Sequence, residues 1–178
     1  MKLLSEIKEQ DINPSAPFVD SSQFKHRQAV RAVVLNSTGE VALLHVANRK
    51  YHKLPGGGVD KGENLQAALD REAMEEIGCK IEIVGEVGRI LEYWDEERQV
   101  QTSDCYLARQ RGNQENSDFT QEEQEHGFEV VWAKDIDAAI ATVEADTPDT
   151  YDGRHIKPRD LLFLKAAKQL LADSPVVE

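Results

Sequence analysis

Cysteine is scarce in this sequence. Cys79 and Cys105 are the only two among 178 residues, and they form neither a metal-type spacing nor a disulfide framework. Both are expected to be reduced structural thiols, and neither is a candidate nucleophile. Positive charge is also in short supply: 33 Asp and Glu face 21 Lys and Arg, the formal charge is −12, and no Lys/Arg-rich run occurs. A surface for a nucleic acid polymer would show a basic stripe, so no such partner is expected. Long apolar runs are missing as well. No stretch could span a bilayer, and Met1 to Ile7 holds too short an apolar run for a signal peptide, so the expectation is a soluble, cytoplasmic protein with no membrane partner.

What is present suffices for one compact domain, since 40% hydrophobic content in a chain of this length can bury a substantial core. Two prolines in Asn13-Pro14-Ser15-Ala16-Pro17 exclude regular structure there, which sets residues 1–20 apart as an N-terminal extension and leaves 21–178 as a single domain. The first ten residues are ambiguous between strand and helix. Ala29 to Leu35 and Val41 to Val46 are β-branched runs around Asn36-Ser37-Thr38-Gly39, a predicted hairpin. Tyr51 to Leu54 gives a short strand into a glycine loop. Lys80 to Trp94, Val100 to Ala108 and Val130 to Ala133 are strand-like, and Arg111 to Gln121 reads as a polar loop. Helical spacing returns at Ile136, Ala139, Ile140 and Val143, and again at Leu161, Leu164 and Leu171. This order predicts a mixed β-sheet covered on both faces, an α/β/α sandwich.

The chemistry concentrates in residues 57–79. Glu72, Glu75 and Glu76 stand at i, i+3 and i+4, so they share one helix face at about 3.6 residues per turn. Leu65, Leu69, Ala73 and Ile77 form the adjoining stripe that packs the helix onto a sheet. Ala68 falls among the acids and predicts open space in front of them. Arg71, four residues before Glu75, is placed to orient a carboxylate. Crowded glutamates resist ionising together, and a bound divalent ion reverses that balance. With no His or Cys among them, the oxygen set suits Mg²⁺, or Mn²⁺, over zinc. Gly56, Gly57 and Gly58 permit positive φ and close backbone approach, bringing Glu63 from the loop to the helix. Arg-Glu-x-x-Glu-Glu alone is better explained by a solvated acidic face; the joint spacing of glycines, Glu63, Arg71, the three glutamates and Gly78 is what needs a chemical explanation.

That array resembles the Nudix box, Gly-x5-Glu-x7-Arg-Glu-U-x-Glu-Glu-x-Gly-U, where U is hydrophobic. Gly57, Glu63, Arg71, Glu72, Glu75, Glu76 and Gly78 match every fixed position, while Ala73 and Cys79 are small for the U positions. The motif covers 23 residues, and a looser likeness runs from residue 27 to residue 140. The resemblance implies a Nudix sandwich, with Glu63, Glu72, Glu75 and Glu76 holding Mg²⁺ against a diphosphate. It implies hydrolysis of an acid anhydride, the diphosphate linkage of a nucleoside diphosphate derivative, in which metal ions polarise phosphoryl oxygens and activate water. Some relatives use a box glutamate as base and others a loop acid; Glu122, Glu123 and Glu125 are the loop candidates, with Glu125 carried forward.

Substrate contacts must also come from outside the box. Beside the backbone of Gly57 and Gly58, Arg31, Arg49, Lys53 and Arg89 are cations on or near strands, each of which equally suits an ordinary surface. Tyr51, Tyr93, Trp94 and Phe128 offer flat faces for a nucleobase, although core packing explains Phe128 as well. No proline lies between Pro55 and Pro148, which the resemblance sets against ADP-ribose, and the NADH-type Ser-Gln-Pro-Trp signature is absent. Tyr93 falls short of the tyrosine position associated with dinucleoside polyphosphates. A nucleoside triphosphate, including an oxidised one, is the expected substrate. A ligand-binding or regulatory module on the same fold is the alternative, and it has no need of the full acid set. An isopentenyl diphosphate isomerase would change the box and need a catalytic cysteine that neither thiol suggests. The reading leaves room for a homodimer.

Overall fold

A computed structural model describes residues 1–173. The strands are β1 (Leu3–Ile7), β2 (Lys25–Leu35), β3 (Val41–Val46), β4 (Tyr51–Lys53), β5 (Lys80–Trp94), β6 (Gln99–Arg111) and β7 (Phe128–Ala133). The helices are α1 (Glu9–Ile12), α2 (Leu65–Ile77), α3 (Gln121–Glu125), α4 (Ile136–Ala145) and α5 (Tyr151–Asp173). They build a seven-stranded sheet in the order β1-β5-β6-β2-β3-β4, with β7 on β3. The sheet is mixed: β2 runs parallel to β6 from Lys25↔Gln99 to Leu35↔Arg109, and β5 pairs antiparallel with β6.

The two-residue period of β2 sorts its side chains between two cores. Val30, Ala32 and Val34 join Ala68, Leu69, Ala73 and Ile77 of α2, whereas Val33 and Leu35 join Ala139, Val143, Phe163, Leu164 and Ala167 of α4 and α5. A helix thus covers each face, which is the α/β/α sandwich. No described helix is long and apolar enough to cross a membrane.

Two differences from the sequence reading place the site. The predicted hairpin forms, but β2 and β3 share only the pair Leu35↔Val41 before β3 turns to β4 and β7. The edge of β2 that β3 vacates is taken by the glycine loop: Ala32 N donates to Pro55 O (3.0 Å), Val30 N to Gly57 O (2.9 Å) and Val59 N to Gln28 O (3.0 Å). Ala68, expected to leave a gap among the acids, is fully buried in the α2 core. It lies one turn before Glu72 on a side of the helix that turns toward the sheet, so its small size admits close packing there.

Candidate functional site

Both ends of α2 are fixed by local chemistry. Asn64 caps the start, its side chain accepting from Ala67 N at 2.9 Å, and supplies one of the acceptors that the first turn lacks. Gly78 ends it at φ 60°, where its N–H meets Met74 O and a Cβ would strike the Glu115 carbonyl. Glu115 N donates to Gly78 O and Asp118 N to Glu75 O, both at 2.7 Å, so the loop after β6 is laid against the end of α2.

The glycine loop meets the helix across a gap without room for side chains. Of the three glycines, Gly56 alone uses the positive φ (129°) that the residue type permits. At Gly57 the requirement is space: a Cβ would collide with the Glu72 carboxylate. The Gly58 position is covered by the Arg27 guanidinium, 2.9 Å from where a Cβ would stand.

The four box acids do not form one open face. Arg71 sits at the centre of three of them, Glu63, Glu72 and Glu75. Its Nε and Nη2 bond both Glu63 oxygens at 3.1 Å, Nη1 reaches Glu72 at 2.7 Å and Glu75 at 3.2 Å, and Nη2 also donates to Gly58 O. These bonds, above all those from Arg71 and with help from Asp60 N–H, hold the Glu63 carboxyl below its usual range; Arg71 is pushed up in turn, chiefly by Glu63. Glu76 points the other way and is 2% exposed. Its Oε2 accepts from Gly56 N (2.6 Å) and its Oε1 lies 2.8 Å from Lys53 Nζ. Burial pushes its carboxyl up, against the opposing pull of Lys53 and the Gly56 amide.

This donor set fits a divalent cation. All four side chains offer oxygen, and two of them, Glu72 and Glu75, already converge on a single cationic atom, Arg71 Nη1. Among the described residues no three acidic, His or Cys side chains are gathered closely enough to hold a metal ion as they stand, and the box carboxylates are paired with Arg71 and Lys53. Glu63, Glu72, Glu75 and Glu76 are the residues that would hold such an ion.

The other sequence candidates disperse. Arg31 is buried on the α5 side of β2, donates to the Val30 and Gly57 carbonyls and is lowered by burial to about 10. Arg49 pairs with Asp152 at the start of α5, and Tyr51 is buried with its hydroxyl on the same carboxylate (3.3 Å). Arg89 makes two bonds to Asp104. Tyr93 lies against the N-terminal segment, under Lys8 and 3.5 Å from Glu6. Trp94 is stacked on buried His155 at 4.5 Å. Phe128 carries Lys53 Nζ 4.9 Å over its ring. Of the loop acids, Glu123 is spent on the cap of α3, whereas Glu122 and Glu125 are exposed and Glu125 accepts from Gln121.

Sequence reasoning missed Arg27 and the chain of polar groups behind it. Arg27 is exposed at the mouth of the glycine loop and donates to Gln101, whose amide meets Glu92 (2.8 Å) and Ser103 (3.0 Å). Arg159 lies 3.5 Å from Glu92 and bonds Asp160, which accepts from Leu54 N (2.8 Å) beside the glycine loop. Strand alternation places Arg27 and Arg31 on one face; Gln101, Glu92 and Arg159 join them only through pairings and a helix contact that a single sequence does not display.

Comparison with known proteins agrees with the geometry. The model of the NUDIX domain matches residues 25–159. An RNA pyrophosphohydrolase from Sulfurovum sp. (strain NBC37-1) is 40% identical over 74 residues, 38% of this chain and 47% of that protein, so the match spans about half the relative's length. Two solved structures share the fold at 18% identity: the E. coli ORF135 protein (TM-score 0.60; 90% of this chain, 99% of that one) and the MutT protein from Methanosarcina mazei Go1 (0.56; 83% and 97%). With three quarters of its length matched and every fixed box position filled, this chain belongs to the NUDIX domain family.

Proposed function

We propose that the protein is a Mg²⁺-dependent pyrophosphohydrolase that cleaves the diphosphate linkage of a nucleoside diphosphate derivative, with nucleoside triphosphates, oxidised ones included, as preferred substrates. The observation that carries the reading is the convergence of Glu72 and Glu75 on one cationic atom that also belongs to the guanidinium held by Glu63, against a glycine loop close enough for the Glu72 carboxylate to fill the space of a Gly57 side chain. A divalent ion bound there supplies charge for the phosphoryl oxygens and a more acidic water. The chain's own residues do the rest. Arg71 keeps the acids oriented, Gly57 lets Glu72 approach the loop, and Arg27 brings a cation to the loop for the phosphate chain. A carboxylate takes the proton of the attacking water: Glu125→Gln tests the loop candidate, and loss of the pH-dependent limb of turnover with unchanged Mn²⁺ affinity assigns it, whereas unchanged turnover returns the role to the box.

A 5′-phosphorylated RNA end is a second reading, favoured by the name of the Sulfurovum relative and by an open groove of about 350 Å³ lined by His26, Arg27, Gln28, Arg89 and Thr102 beside Gly58. The deciding experiment measures phosphate and pyrophosphate release, with Mg²⁺ and with chelator. The panel is nucleoside triphosphates, oxidised nucleotides, nucleotide sugars, ADP-ribose, dinucleoside polyphosphates and a 5′-triphosphorylated RNA oligonucleotide. Metal-dependent release from the triphosphates supports the first reading and release from RNA alone the second; silence across the panel from a folded, Mn²⁺-binding sample supports a binding module. We place the protein in the cytoplasm, where the buried, unpaired thiols of Cys79 and Cys105 would stay reduced.

A further inference from the structure

Lys53 lies outside the box, yet its ammonium sits on the most buried box acid. Nζ is 2.8 Å from Glu76 Oε1, with the lysine side chain 14% exposed and the glutamate side chain 2% exposed. The backbone that carries it is clamped on both sides by carboxylates from the helical layer: Asp146 accepts from His52 N at 2.6 Å and Asp160 from Leu54 N at 2.8 Å. The side chain alone is left to move, and the Phe128 ring, 4.9 Å from Nζ, offers it a cation–π seat.

We propose that Lys53 is a tethered counter-ion that exchanges with the divalent cation at Glu76. The inference rests on the reading of Glu76 as a metal ligand. A carboxylate this deeply buried is costly to ionise alone, and Lys53 supplies the charge that makes it tolerable in the metal-free protein. A Mg²⁺ or Mn²⁺ ligand bond is about 2.1 Å long, so an ion on Oε1 would stand only about 4 Å from an ammonium that kept its hydrogen bond to that oxygen, and at so buried a carboxylate the two like charges repel strongly. Nζ therefore leaves as the ion arrives. Lys53 stabilises the empty site and weakens its affinity for metal, without touching the reacting atoms.

Titrating the purified protein with MnCl₂ at pH 8, without substrate, tests this by calorimetry. Lys53→Met is expected to bind Mn²⁺ on the order of tenfold tighter than the parent, and Lys53→Arg, which keeps the charge, within about twofold of it. In a Glu76→Gln background, Lys53→Met should no longer change affinity. In chelator Lys53→Met melts below the parent, and Mn²⁺ raises its melting temperature by more. Lys53→Gln replaces Lys53→Met if the latter fails to fold. Equal or weaker Mn²⁺ binding by the neutral variant, with the parent binding normally, overturns this inference alone; absence of Mn²⁺ binding in every protein overturns it together with the metal reading.

Discussion

Glu76 and Gly57 show how far single residues constrain the site. Glu76→Gln keeps the size of the side chain and its acceptor for Gly56 N, but a neutral amide is a poorer ligand for a hard cation. Turnover at saturating Mg²⁺ should fall by at least on the order of a hundredfold with the melting temperature shifted little; parent-like turnover would remove Glu76 from the ligand set. Gly57→Ala sets a methyl group against the Glu72 carboxylate. Because Glu72 is held by Arg71 and the loop by β2, the expected result is weaker Mn²⁺ binding and a loss of about 1–3 kcal/mol of stability, read from denaturant unfolding. At this scale the spacing of the box was legible in the sequence, because it is local to one loop and one helix, whereas the turn of Glu76 away from the other acids toward Lys53 was not. Arg27, Gln101 and Arg159 were not, since they meet through β-pairing and tertiary packing.

Among the elements, α2 was read from its local apolar stripe, Leu65 to Ile77, whereas the Asn64 cap and the left-handed Gly78 that fix its ends emerge from the structure. The α5 helix was read only from its later half. It starts at Tyr151 and runs through Pro158, a residue that costs about 3 kcal/mol inside a helix. Burial of Phe163, Leu164 and Ala167 offsets that cost, and burial of that kind is invisible to propensity. The start of α5 also carries a pH signature. Burial works to raise the Asp152 carboxyl, but the Thr150 hydroxyl, the Arg49 charge and the Gly153 amide together hold it below its ordinary value of 3.8. A carboxyl lowered on folding contributes stability above the unfolded value, and that contribution is lost as pH falls through the lower folded one. Stability should therefore decline more steeply below pH 4 in the parent than in Asp152→Asn, which should itself lose about 1 kcal/mol at neutral pH. Parallel acid unfolding curves for the two proteins would show that the Arg49–Asp152 contact contributes nothing.

For the molecule as a whole, the sheet separates support from chemistry. The segment set apart in the sequence as an extension supplies β1, which pairs in parallel with β5 from Leu3↔Arg89 to Ile7↔Glu92. The first ten residues looked ambiguous because so short an apolar run fits strand or helix, and only the edge of β5 selects between them. From this edge Ile7 enters the core and Glu9 reaches the buried His155, 3.1 Å from Nε2, whose ring stacks on Trp94 and meets Tyr151 at a tilt. The box lies beyond β5 and β6, on the far edge of β2. Deleting residues 1–12 would strip Ile7 from the core and leave His155 without its acceptor, at a cost of about 3–5 kcal/mol. The truncated protein should melt well below the parent yet bind Mn²⁺ with parent affinity at a temperature where it is folded. Glu9→Ala, which removes only the acceptor, should cost about 1–2 kcal/mol and likewise spare the metal site. A parallel loss of Mn²⁺ affinity in Glu9→Ala would mean that the α5 side of the sheet transmits to the box, through the chain from Arg159 and Asp160 to Leu54 that ends beside the glycine loop.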